Sequence, residues 1–153
     1  MKPVVGIVIG SKNDAELVEP AVQILKDFDV AHELSVMSAH RTAEKVHQYA
    51  VSAEERGIKV LIAGAGYAAH LPGVLAAWTM LPVIGVPLPT SDLKGVDSLL
   101  SIVQMPGGVP VASTGIGKSG AKNAALLAVQ ILGVSDERLR DAYRRYREQL
   151  ASA

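Results

Sequence analysis

Three short segments carry most of the side chains that could do chemistry. They are Gly10-Ser11-Lys12-Asn13-Asp14, Ser38-Ala39-His40-Arg41-Thr42, and Gly64-Ala65-Gly66-Tyr67-Ala68-Ala69-His70-Leu71-Pro72-Gly73. In the first, Gly10 permits a tight turn, Ser11 supplies a hydroxyl, and the start of a following helix would offer unpaired N–H groups to an anion. The same residues also suit a plain turn in which Asp14 only caps the helix. The second segment sets an imidazole beside a guanidinium. Histidine, with an unperturbed pKa of about 6.5, suits proton transfer near neutrality. Arg41 can grip a phosphate through two parallel hydrogen bonds. The bland alternative for His40-Arg41 is a solvent-facing loop. His32 falls within a strand and His47 within a helix, and neither has a supporting cluster.

Two apparent nucleotide motifs fail on inspection. Gly64-x-Gly66-x-x-Ala69 follows a strand, as a dinucleotide fingerprint would. The acidic residue such a site needs about 20 residues later is missing, because Ile84-Gly85-Val86-Pro87 stands there. Gly117-Lys118-Ser119 resembles the end of a phosphate-binding loop, but Ala112 replaces the first glycine.

The elements that must position these loops alternate. The apolar runs Val4–Ile9, His32–Met37, Lys59–Ala63, Pro82–Val86 and Val109–Ser113 predict five strands. Helical spacing predicts helices over Asp14–Phe28, Thr42–Arg56 with Thr42 as N-cap, Gly73–Met80 behind Pro72, Asp97–Gln104, Ala121–Leu132 and Ser135–Leu150. Lys45 stands where a capping box would want Glu or Gln, so that cap signal is partial. Strand and helix in alternation imply a parallel sheet covered on both faces. In such sheets, ligands bind at the carboxyl ends of the strands, where each of the three segments falls. Ala121–Leu132 is apolar over most of its circumference, which implies burial on more than one side, either under another subunit or within the chain's own core.

Bulk properties narrow the classes. The chain has 153 residues, 49% hydrophobic and 20% charged, with 15 basic and 15 acidic side chains. One catalytic domain spanning 1–153 is expected, ending in a charged helix at about 135–150. The balanced charge argues against a general grip on nucleic acid or an anionic membrane. The absence of cysteine removes disulfides, thiolate catalysis and Cys-based zinc sites. No secretory leader or membrane span is apparent, so a cytoplasmic protein is expected.

The loops, taken in order with Asp97-Ser98-Leu99-x-Ser101-Ile102-Val103-Gln104-Met105-Pro106 and Asn123-Ala124-Ala125-Leu126-Leu127-Ala128, resemble the N5-carboxyaminoimidazole ribonucleotide mutase family of de novo purine synthesis (the PurE family). The similarity runs from about Val4 to Leu132. A second branch of the family carboxylates aminoimidazole ribonucleotide directly with CO2. The Ala-Ala-His-Leu-Pro-Gly and Ser-Ile-Val-Gln-Met-Pro segments are more similar to the mutase branch. The resemblance implies a three-layer α/β/α sandwich, flavodoxin-like or Rossmann-like, with no metal and no organic cofactor. It also implies a homo-octamer with sites at subunit boundaries.

By position, the resemblance implies that Ser11, Ser38 and Arg41 hold the phosphate and that Asp14 accepts from the ribose hydroxyls. Ala39 and Asn13 would line the same pocket. His40 matches the catalytic histidine. His70 stands beside the imidazole as a second catalytic candidate, with Gly66, Tyr67, Ala68 and Leu71 around the substrate. Two residues depart from the family pattern. Asn13 replaces the usual Ser and can still donate to phosphate. Tyr67 replaces the usual Gly and either narrows the pocket or points outward. Competing expectations are carboxylation of a related heterocyclic mononucleotide, and a non-catalytic flavodoxin-like or response-regulator-like binding module. The latter lacks its acidic cluster, since only Asp14 follows the first strand.

Overall fold

Five short strands form one all-parallel sheet: β1 (Val5–Ile9), β2 (His32–Val36), β3 (Val60–Ala65), β4 (Val83–Pro87) and β5 (Ala112–Ser113), in the order β2-β1-β3-β4-β5. The computed structural model describes all residues from Met1 to Ala153. Six helices connect and follow the strands: α1 (Ala15–Asp27), α2 (Ala43–Ala53), α3 (Leu71–Trp78), α4 (Val96–Val103), α5 (Gly117–Gly133) and α6 (Glu137–Ser152). None is long and apolar enough to cross a membrane.

β1, β3 and β4 are buried along their whole length, as continuous apolar runs in a doubly covered parallel sheet should be. Their side chains alternate between two cores. Val5, Ile7, Ile9, Val60, Ile62, Ile84 and Val86 pack with α1 and α5. Val8, Leu61, Ala63, Ala65 and Val83 pack with residues of α2, α3 and α4. The period of two thus feeds a three-layer α/β/α arrangement.

Three expectations change in detail. β5 pairs only through Ala112 and Ser113 rather than from Val109. Val109 follows Gly108, which has a positive φ, and Pro110 lacks the N–H that a ladder needs. α5 begins at Gly117, four residues before Ala121. Gly120 is required there because a side chain would run into the carbonyl of Gly115. Finally, α5 is covered by its own chain. It lies against α1, α6, β3 and β4, and Ala121, Ala124, Ala125, Leu126, Ala128 and Val129 are all buried. Its apolar circumference is therefore accounted for without another subunit.

The exposed apolar face belongs to α4 instead. Val96, Leu100 and Val103 are each more than 40% exposed, with Leu93 beside them. Their spacing puts them on one stripe of the helix.

Candidate active site

The loops that follow β1, β2, β3 and β4 converge at the carboxyl edge of the sheet. Between β1 and β3 the strand order reverses direction, and this is where parallel sheets leave a crevice for ligands. A cavity of about 550 Å³ opens there. Its wall brings together every residue singled out above: Ser11, Asn13, Asp14, Ser38, Ala39, His40, Arg41, Gly66, Tyr67, Ala68, His70 and Leu71. Gly10, Ala65 and Thr90 complete it.

The first loop forms one turn of 3-10 helix, Lys12–Asp14, ahead of α1. Ser11 N–H donates to Asp14 Oδ2 at 3.1 Å, and Asn13 N–H donates to Ser11 Oγ at 3.3 Å. Ser11 and Asp14 thus form a reciprocal capping box on this turn while facing the cavity, and the Asp14 side chain does not cap α1 itself. Ser11 keeps its own hydroxyl proton for a ligand, and Asp14 keeps its second oxygen. Burial pushes the Asp14 carboxyl above the ordinary aspartate range, against the Ser11 N–H, which lowers it.

The second loop is a tight hydrogen-bonded turn. Ser38 N–H donates to Thr42 Oγ1 at 2.8 Å, Thr42 Oγ1 donates back to Ser38 carbonyl oxygen at 3.0 Å, and Arg41 N–H donates to Ser38 Oγ at 3.1 Å. Thr42 is the N-cap of α2, but its hydroxyl serves this turn rather than its own helix. Lys45 donates to the carbonyl of Val36 at 3.2 Å, which ties α2 to the end of β2. The turn holds His40 and Arg41 out from the sheet, both exposed to the cavity.

The third loop carries His70 at the N-cap of α3, with Pro72 in the first turn where a missing N–H costs nothing. His40 Nε2 and His70 Nδ1 lie 2.7 Å apart, with the rings at 84°. One nitrogen donates and the other accepts, and the tautomer sets which. Two imidazolium ions could not keep this contact. Gly66 has no side chain because one would occupy the space of the Thr90 hydroxyl. Tyr67 adopts a left-handed backbone with φ of 53°, which explains why Gly suits the position. Its carbonyl accepts from the hydroxyl of Ser98 at 2.9 Å, and the same hydroxyl reaches the Leu88 carbonyl at 3.3 Å. Buried Ser98 thereby fastens α4 to the Tyr67 loop and to the segment that follows β4.

The other two histidines lie elsewhere. His32 Nδ1 is 2.7 Å from the Val30 carbonyl, and the His47 ring packs on Trp78. Lys118, in the failed phosphate-loop motif, pairs with Glu16 at 3.1 Å. No group of three or more His, Cys, Asp or Glu side chains is placed to hold a metal ion. Thr90 was not legible as a site residue. It sits beyond β4 in a Pro-rich loop, and only the folded sheet brings it over Gly66.

Comparison with known proteins identifies the family. A family model described as AIR carboxylase matches residues 4–153. An N5-carboxyaminoimidazole ribonucleotide mutase of Pyrococcus abyssi is 57% identical over 97% of this chain and 84% of its own length. One from Bacillus subtilis is 61% identical over 91% of this chain and 86% of its own. The crystal structure of Treponema denticola PurE superposes with a TM-score of 0.87 at 31% identity, covering 98% of this chain and 92% of that one. These similarities show that the chain belongs to the AIR carboxylase family.

Proposed function

We propose that this protein is an N5-carboxyaminoimidazole ribonucleotide mutase, moving a carboxyl group from the exocyclic nitrogen of the substrate to a ring carbon. The observation that carries the chemistry is the hydrogen-bonded pair of His40 and His70 at one wall of the cavity. The reaction needs one proton delivered and one removed at nearby atoms. The N–C bond of the carboxyamino group breaks as CO2 leaves, and its electron pair stays on nitrogen, which takes a proton. The ring carbon then forms its bond to CO2 and releases its own proton as aromaticity returns. One proton is taken up and one is given back, so the paired imidazoles end as they began.

His40 carries the proton, and His70 holds its ring in place and fixes which nitrogen is protonated. Ser11, Ser38 and Arg41 bind the phosphate, Asn13 assists, and Asp14 accepts from the ribose. Gly66, Tyr67, Ala68 and Leu71 surround the heterocycle, with Ala39 lining the wall. Holding aminoimidazole and CO2 together makes the second step effectively intramolecular, worth up to about 7–11 kcal/mol in favourable cases.

The working form is a homo-octamer of one-domain subunits. The unpartnered apolar stripe of α4 supports self-association. The protein acts in the cytoplasm, where a phosphorylated ribonucleotide that cannot cross a membrane unaided is made and consumed.

His40→Asn tests the proton role. The variant should fold and bind ligand, and turnover should fall by about 10²–10⁴-fold, the usual contribution of a positioned acid–base group. Near-normal turnover would refute the role of His40.

A further inference from the structure

Tyr67 is held in a way that its own fold does not reward. A φ of 53° is unfavourable for any residue with a Cβ and an outlier for a bulky one. The other non-glycine residues with positive φ, Asp29 and Lys94, lie in turns flanking helices. Tyr67 instead lies on the cavity wall, three residues before His70 in the same loop. Its side chain packs on no other aromatic ring, its hydroxyl makes no hydrogen bond within the chain, and the residue is 64% exposed. Its backbone is nonetheless fixed, because the carbonyl is anchored by Ser98, which is fully buried. On the other side of the loop, the Thr90 hydroxyl fills the space over Gly66. The chain therefore fixes the backbone from which a large, unpartnered aromatic side chain projects, on the wall of the cavity that also holds the paired histidines.

We infer that Tyr67 is a closing and specificity-determining residue whose ring covers the heterocycle and retains CO2 between the two halves of the reaction. The inference rests on the mutase reading. It follows from what a carboxyl shift demands: CO2 is small and uncharged, and it escapes from any opening that water can enter. An aromatic face also suits a flat imidazole, since stacked rings attract beyond the area they bury. The substrate supplies the missing cover for the ring, and the ring supplies the missing wall for the substrate.

The experiment is conversion of unlabelled carboxyamino ribonucleotide in ¹³C-bicarbonate, with carbonic anhydrase present to equilibrate the CO2. Label in the product counts the CO2 that left and was replaced. Tyr67→Gly should raise that label at least about threefold and raise KM more than it lowers kcat, as loss of a stacking contact predicts. Its thermal midpoint should match or exceed the parent's, because glycine relieves the left-handed backbone. Tyr67→Phe, which keeps the ring, should leak less than Tyr67→Gly. Equal label in Tyr67→Gly and the parent overturns the inference, as does Phe leaking as much as Gly. If the parent itself fails to convert the carboxyamino substrate, the mutase reading falls with it. If the parent converts it and Tyr67→Gly retains CO2 equally well, only the role of Tyr67 falls.

Discussion

His40 and Gly66 show how differently two residues of one site can be read. An imidazole next to a guanidinium at a strand end already suggests proton transfer, and the fold adds only its partner, His70 at 2.7 Å. Gly66 first looked like part of a dinucleotide fingerprint. In the folded chain it is required by Thr90, whose hydroxyl fills the space of a side chain there. Nothing in the spacing of positions 66 and 90 announces that contact, because the register of β3 against β4 creates it. Gly66→Ala should therefore destabilise the protein by about 1–3 kcal/mol, the usual cost of overpacking. Adding Thr90→Ala should recover most of that loss, since touching residues are coupled. Denaturant unfolding of the two single variants and the double variant checks this. Additive losses would show that the two positions do not touch.

At the scale of elements, the loop bearing His40 depends on how α2 is fixed to the edge strand β2. Tyr49 of α2 donates to Glu33 of β2 at 2.7 Å, and Arg56 donates to the same oxygen at 2.7 Å while lying over the Tyr49 ring. Gly6 of β1 leaves room for the phenol. Burial alone would raise the Glu33 carboxyl, but the hydrogen bonds from Arg56 and Tyr49 and the guanidinium charge outweigh it and hold the group below its usual range. Burial and the Glu33 carboxylate push the Tyr49 phenol well up, so it stays protonated.

A carboxyl lowered in the folded state stabilises fully above its unfolded pKa, about 4.3, and the contribution is lost as the pH falls through and below that value. Glu33→Gln should thus lower stability by about 1–2 kcal/mol at neutral pH, as removal of a charged hydrogen-bond acceptor does. The two proteins should converge in acid. Thermal melts across pH check this, and a constant difference at all pH values would contradict it. The existence and order of the elements were legible from alternating apolar runs. Their edges were less so: Thr42 caps by position but spends its hydroxyl on Ser38, a choice made by the turn rather than by the helix.

The whole molecule places the cavity where the sheet changes direction, and the chain alternation was enough to anticipate that. Surface partnership was harder to read. The mostly apolar α5 reads in sequence like an interface, yet α1 and α6 cover its apolar side, because helical spacing reports burial without saying what does the burying. α4, amphipathic and unremarked, is the helix whose apolar stripe is left uncovered. The proposed self-association through α4 predicts that Leu100→Glu lowers the sedimentation coefficient while leaving the fold intact, with circular dichroism as the control. An unchanged coefficient would contradict self-association through α4.

The carboxyl shift is tested most directly by turnover of two alternative substrates by the purified protein. Carboxyaminoimidazole ribonucleotide should be converted to the 4-carboxy product without added bicarbonate. Aminoimidazole ribonucleotide with bicarbonate should react poorly. Efficient carboxylation of aminoimidazole ribonucleotide, with no conversion of the carboxyamino substrate, would show a direct carboxylase and contradict the mutase assignment.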